Sequence, residues 1–250
     1  MAKNKKKITI KEIKELQTKP IEEILEIAKD MNLLGGNNSK TGKILETKKI
    51  PGRILTIESQ HFEICGSCCC NCEDCYAINS TRYHWNKVLD IAIITQRIIN
   101  EAPEYFKKLI IKKTMLERVF RFNESGDIEA LEELELYNEI AKARPYCIFL
   151  VYTERHDIVK EFIKTGQKAE NLQIRLSFWF NGTKEDADRI NEEREGLPAF
   201  VACKDVEKAA ELFKVPKICP CSYNTEENKT TCHECGACFF NKNIIIEKIH

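Results

Sequence analysis

Tyr146-Cys-Ile-Phe-Leu-Val-Tyr152, the helix-patterned run Glu154–Thr165 and Leu172-Gln-Ile-Arg-Leu-Ser-Phe178 form the stretch that decides the fold. Each short apolar run reads as a buried strand. The segment between them keeps a helical period and is ended by Gly166. The alternation continues outward. Upstream, Arg118-Val-Phe-Arg-Phe122 reads as a strand and Ile128–Ala143 as a helix carrying Leu131, Leu134, Leu136 and Ile140. Downstream, Lys184–Arg194 reads as a helix, Ala199-Phe-Val-Ala202 as a strand and Asp205–Phe213 as a helix. Four consecutive strand–helix units predict an α/β fold. Its parallel sheet is covered on the outer face and is open or curled into a partial (β/α) barrel. Right-handed crossovers put the loop after each strand on one rim, and ligands bind at that rim.

The flanks are less regular. Residues 20–34 predict an amphipathic helix with Pro20 in its first turn, Ile24, Leu25, Ala28 and Met31 on one face, and Gly35-Gly36 as its end. Ile44–Thr47 and Arg53–Ile57 read as strands about a Pro51-Gly52 turn, and Trp85–Ile99 and Pro103–Leu116 as helices. Gly42-Lys43 is not a phosphate loop, because the glycine spacing is one residue too long and Ile44 replaces the required Ser or Thr. Three segments follow: an N-terminal helical and strand extension over 1–60, the partial barrel over 61–215, and a C-terminal cysteine-rich tail over 216–250 that ends in the strand-like Ile244–Lys248.

The chemistry is concentrated in cysteine. Of 13 cysteines, six fall in Cys65-Gly-Ser-Cys68-Cys69-Cys70-Asn-Cys72-Glu-Asp-Cys75 and five lie between Cys219 and Cys238. A hydrophobic core does not need that density, whereas thiolates converging on one inorganic centre do. Cys68/Cys72/Cys75 and Cys65/Cys69/Cys72 both have the C-x3-C-x2-C spacing with which radical S-adenosylmethionine (SAM) enzymes hold a [4Fe-4S] cluster by three thiolates. A structural zinc ion or disulfides are the competing readings. In the tail, Cys232, Cys235 and Cys238 repeat at two-residue gaps after Cys219-Pro-Cys221, enough thiolates to close a coordination shell around a second [4Fe-4S] cluster or a zinc ion. Cys147 and Cys203 stand alone and read as small buried hydrophobes.

The expected rim carries the other candidates. Gly126 lets backbone approach a ligand, and Asp127 or Glu124 offers acceptors to an ammonium or a ribose hydroxyl; Asp127 also reads as a helix N-cap. Ser177 and Asn181 lie near the end of the third strand of the run, where Asn181-Gly182 equally suits a plain turn. Thr153 reads as a helix N-cap and His156 as a surface residue of the first helical turn.

Composition limits the alternatives. The chain has 250 residues, 43% hydrophobic and 31% charged, with 39 basic and 39 acidic side chains. A balanced charge gives no electrostatic case for nucleic acid, and no stretch of about eighteen apolar residues exists to cross a membrane. Only Lys3, Lys5, Lys6 and Lys7 are locally basic. Two tight clusters and an odd total do not suit a secreted disulfide framework. With no signal-like start, the expected location is a reducing cytoplasm.

Cys72-x2-Cys75-Tyr76-Ala77, Ser125-Gly126-Asp127, Tyr146–Thr153 and Cys232–Phe239, taken in order, resemble the phage gene product 88 family over about residues 36–240. That family in turn looks like a radical SAM relative. The resemblance implies that Cys72 and Cys75, with Cys65 or Cys68, ligate a [4Fe-4S] cluster, and that Ser125, Gly126 and Asp127 form the loop that binds the SAM amino group. Asp74 stands where an aromatic is common, and the glycine loop is shortened. The activity implied is reductive cleavage of SAM, followed by hydrogen abstraction from an unknown substrate, with flavodoxin or ferredoxin as the kind of electron donor. The competing expectation is a non-catalytic binding protein stabilised by zinc or iron–sulfur; a simple two-cluster electron carrier comes third.

Overall fold

The computed structural model describes residues 10–36, 55–57, 90–123, 126–214, 218–220 and 235–248. Helices α1 (Ile10–Thr18) and α2 (Ile21–Lys29) lead to β1 (Leu34–Gly36) and β2 (Leu55–Ile57). Helix α3 (90–101) is followed by α4 (Pro103–Lys113), which begins on its proline as the missing N–H allows. Then come β3 (Val119–Arg121), α5 (Leu131–Ala143), β4 (Ile148–Thr153), α6 (His156–Lys164), β5 (Leu172–Phe180), α7 (Lys184–Glu193), β6 (Ala199–Cys203) and α8 (Val206–Phe213). The tail contributes a single helical turn, α9 (Ala237–Phe240), and β7 (Ile245–Lys248).

The described strands form one seven-stranded sheet in chain order, β1-β2-β3-β4-β5-β6-β7. β1 pairs antiparallel with β2, and every neighbouring pair from β2 to β7 is parallel. Sequential parallel strands joined by crossovers of one hand stack their helices on one face, and the sheet curls into a half-barrel. The helices cover the convex face. Phe120, Phe122, Phe149, Leu172, Ile174, Leu176, Phe178 and Val201 point into that layer and are buried among Ile24, Phe106, Tyr137, Ile140, Phe162 and Ile190. Phe122 stacks on Tyr137 with centroids 3.9 Å apart, joining β3 to α5.

The expected fold class holds, and described parts of all three expected segments share the one sheet: β1 and β2 from the extension, β3 to β6 from the middle, β7 from the tail. The helix expected over 20–34 is shorter. It stops at Lys29, and Leu34-Gly35-Gly36 is a strand paired to Ile57, Thr56 and Leu55. Buried Leu33 and Leu34 satisfy a helical face or a strand equally well, and pairing with β2 decides between them. The strand expected at Ile44–Thr47 lies outside the described residues. Helix α1, missed by periodicity, is fastened by Arg97 of α3, whose guanidinium donates to the Leu16 and Lys19 carbonyls at 2.8 and 2.6 Å.

Candidate functional site: the carboxy-terminal rim and concave face

The strand ends define the rim. Phe122 and Asn123 follow β3; Asn123 has φ 48° and Gly126 φ 79°, both in the left-handed region, so the chain turns sharply as it leaves the sheet. Ser125 lies outside the described residues. Asp127 is buried, and its carboxylate joins two rim loops. Oδ1 accepts from the Ile128 N–H at 2.7 Å and the Thr153 hydroxyl at 2.5 Å, and Oδ2 accepts from the Glu154 N–H at 2.8 Å. Burial pushes the Asp127 carboxyl up to about 6 against the pull of these hydrogen bonds. The N-cap of α5 is Ala130, so Asp127 is a rim fastener and not the expected cap. Thr153 likewise belongs to β4, and the N-cap of α6 is Arg155. The Thr153 oxygen instead accepts from the Arg155 N–H at 2.9 Å while its proton goes to Asp127.

Behind this loop Glu133 is buried on α5. Its Oε2 accepts from the Glu129 N–H at 2.9 Å, and its Oε1 meets the Tyr137 hydroxyl, which also lies 2.9 Å from Asn123 Oδ1. Tyr137 has one proton to share between two acceptors. A protonated Glu133 resolves the conflict: it donates to Tyr137, and Tyr137 donates to Asn123. Burial pushes Glu133 up to about 7, which favours that state.

The remaining rim candidates divide. Ser177 lies within β5, which runs on to Phe180, and its carbonyl is 2.9 Å from His156 Nε2. His156 packs its ring against Phe178 at 4.3 Å, which makes it a strut between α6 and β5. Asn181 is exposed and serves a turn: its Oδ1 accepts from the Thr183 N–H at 3.0 Å, and Thr183 caps α7. Trp179, 41% exposed, donates from Nε1 to Glu154 Oε1 at 3.1 Å and ties the β5 end to the β4 loop.

The concave face carries what sequence reasoning missed. Strand alternation directs Val119 and Arg121, Leu150 and Tyr152, Arg175 and Ser177, and Phe200 away from the helices. α9 lies across this face. Phe239 is buried against Val119 and Leu150, with Tyr152 and Cys238 packed beside them. The Arg121 guanidinium sits 4.9 Å from the centre of the Tyr152 ring, and Phe200 meets that ring edge-on at 5.3 Å. Burial, then the neighbouring Cys238, pushes the Tyr152 phenol well above its ordinary value.

Arg175 is the centre of this face and is 1% exposed. It donates from Nε to the Cys238 carbonyl at 2.7 Å, from Nη1 to Asn243 at 3.1 Å, and from Nη2 to Ala237 at 3.1 Å and to the Asn241 carbonyl. Burial draws its pKa down, while Tyr152 and Cys238 draw it up. The signal for it is the polar alternation Gln173, Arg175, Ser177 inside an otherwise apolar strand.

Of the expected metal ligands, Cys65, Cys68, Cys72, Cys75, Cys221 and Cys232 lie outside the described residues. Cys219 is buried beside β7, its N–H donating to the Ile246 carbonyl at 2.6 Å. Cys235 and Cys238 flank the start of α9. Among the described residues no disulfide is formed, and no group of three or more His, Cys, Asp or Glu is gathered for a metal. Cys147 and Cys203 are fully buried, with burial pushing their thiols up to about 12 and about 11. A cavity of about 540 Å³ lined by Lys142, Pro145, Asn171, Gln173, Phe239 and Lys242 lies at the opposite, amino-terminal end of the strands. In folds of this kind that end serves stability, and the rim is the candidate site. No helix among the described residues is long and apolar enough to cross a membrane.

A family model described as gene product 88 matches residues 31–241. No curated protein and no solved structure matches the chain.

Proposed function

This chain belongs to the gene product 88 family, and from its cysteine content and the order of its strands we propose that it is a radical SAM-type iron–sulfur enzyme. One observation carries the reading. β2, the first strand of the parallel run, ends at Ile57 on the rim side, and the six-cysteine segment starts eight residues later at Cys65. The second parallel strand, β3, ends at Arg121, five residues before Gly126 and six before Asp127.

The donor set fits the group. Cys72 and Cys75, with Cys65 or Cys68, would hold a [4Fe-4S] cluster by three thiolates, and the tail cysteines would hold a second cluster or a zinc ion. When bound, the first cluster supplies the electron for reductive cleavage of SAM and so for hydrogen abstraction from a substrate. The chain's own residues do the rest. Gly126 admits a ligand close to backbone. Asp127 fixes the two rim loops, and Oδ2, with one donor among the described residues, offers an acceptor to an ammonium. Val119, Leu150 and Phe239 keep water from the floor of the concave face. Arg121, Tyr152 and Ser177 give its upper half polar groups with which to orient a substrate.

The test is anaerobic reconstitution with iron and sulfide, then SAM and dithionite. The reading expects a cluster spectrum perturbed by SAM and formation of 5′-deoxyadenosine. A protein that takes up zinc alone and makes no 5′-deoxyadenosine is instead the metal-stabilised binding protein.

A further inference from the structure

Four of the five large apolar side chains exposed among the described residues, Met115, Leu116, Tyr146 and Phe240, lie at the amino-terminal end of the strands, away from the rim. Scattered singly, such side chains need no explanation; gathered at one end, they do. Met115 and Leu116, 63% and 84% exposed, lie in the turn from α4 into β3, and Tyr146, 74% exposed, lies in the neighbouring turn from α5 into β4. The two turns are fastened to each other. Arg144 Nη2 donates to the Thr114 and Met115 carbonyls at 2.9 and 2.7 Å, and Arg118 Nη1 donates to the Tyr146 carbonyl at 3.5 Å. The backbone is held and the side chains are presented to water. A side chain so exposed on a fixed turn projects from the surface and lines no groove.

Charge is the second observation. The chain balances 39 basic against 39 acidic side chains, but this end departs from the balance. Lys112, Lys113, Arg118 and Lys142 surround the projecting side chains and are exposed. Within 112–118 and 142–146 the one acid is Glu117, which is 7% exposed. Phe240 and Lys242 extend the patch along the cavity of about 540 Å³, where Glu170 is the one acid among the lining residues. Lysines in the last turns of α4 and α5 complement the helix carboxy termini, which accounts for Lys112, Lys113 and Lys142 but not for the apolar side chains between them.

We infer that this end of the half-barrel is a docking surface for an anionic phospholipid membrane, with Met115, Leu116 and Tyr146 entering the interface and the surrounding cations lying on lipid phosphates. Aliphatic side chains offer no π face on which bases could stack, which disfavours nucleic acid. An acidic protein would need a groove cut to fit the Met115-Leu116 projection, whereas a bilayer interface yields to it. A tyrosine suits the headgroup level, and lysine stems lie along apolar surface while their ammonium groups stay with the phosphates. The contact is peripheral and independent of the chemistry at the rim, which it leaves facing away from lipid.

The experiment sediments the full chain with vesicles of phosphatidylcholine alone or with about one part in four of phosphatidylserine. Met115→Ser/Leu116→Ser removes the apolar projection and keeps the charge; Lys112→Gln/Lys113→Gln/Lys142→Gln does the reverse. All five positions are exposed, so the urea midpoints should match that of the parent. The expected result is a parent that sediments with the phosphatidylserine vesicles, not with phosphatidylcholine alone, and is released at about 0.5 M salt. Partitioning should weaken about 10-fold in the double serine variant and about 5-fold for each lysine removed. A parent that stays in solution with the phosphatidylserine vesicles overturns the inference without any variant. Equal sedimentation with both vesicle types, or variants that partition like the parent, overturns it too. A single-stranded oligothymidylate bound more tightly than the vesicles, and lost in the glutamine variant but kept in the serine variant, makes this a nucleic-acid surface and also overturns it.

Discussion

Tyr152 and Arg175 are register partners on β4 and β5, and both engage Cys238, the tyrosine packing against its side chain and the arginine taking its carbonyl. The tail is thus part of the interior wall of the half-barrel. Phe239 is the apolar half of the same attachment. Phe239→Ala should cost about 3 kcal/mol in urea unfolding, the usual loss for a buried phenylalanine, and should make the 235–248 backbone exchange amide hydrogen faster than β4 or β5. An unchanged midpoint would mean that α9 is not packed as described.

The rim fastener predicts a local effect. Thr153→Val keeps shape and removes the hydroxyl that donates to Asp127. Unfolding should become easier by about 1–2 kcal/mol, and the Asp127 carboxyl should move higher, because one of the hydrogen bonds that hold it down is gone. Proton titration of Asp127 by NMR checks the second part independently of the first.

Glu133 and Asp127 set a pH dependence of fixed sign. Both carboxyls are raised, to about 7 and about 6, from ordinary values of 4.5 and 3.8. Between those limits the folded chain binds more protons than the unfolded one. Their contribution to stability is therefore fully present below about pH 4 and lost as pH rises through 6 and 7. Each tenfold gain in proton affinity on folding is worth about 1.4 kcal/mol, so the two together should lower stability by a few kcal/mol from about pH 4 to about pH 8. Glu133→Gln preserves the donor order through Tyr137 to Asn123 and should remove about half of this slope, leaving the share of Asp127. Urea midpoints at several pH values measure it, and a slope of opposite sign would refute the assignment.

Cys147 and Cys203 should behave as packing residues. Their thiols are pushed far above neutral pH, so thiolate is scarce even at about pH 8. Neither should react with iodoacetamide until the chain unfolds, and Cys147→Ala or Cys203→Ala should leave iron uptake unchanged. Rapid native alkylation at either would show that it is not packed away.

How much of this can be read from residues depends on range. The strands from Val119 to Cys203 are legible because apolar runs and Gly166 mark them locally. Leu33 and Leu34 are ambiguous because their state is decided by β2, more than twenty residues away. Asp127 and Thr153 look like helix caps because short polar residues before helices usually are; their actual bond crosses 26 residues. Arg175 leaves a trace in the polar alternation of β5, but its carbonyls lie 62 to 68 residues downstream. No local pattern announces such a partner. The six-cysteine segment is the reverse case, plain in the sequence and outside the described residues.

The most direct measurement is 5′-deoxyadenosine formed by the anaerobically reconstituted full chain with SAM and dithionite, alongside its iron and sulfide content. The expected result is at least four irons with matching sulfide, 5′-deoxyadenosine from the parent, and none from Cys72→Ala, since both cysteine registers use Cys72. Zinc without iron, or reconstituted clusters that leave SAM intact, would contradict the radical SAM reading.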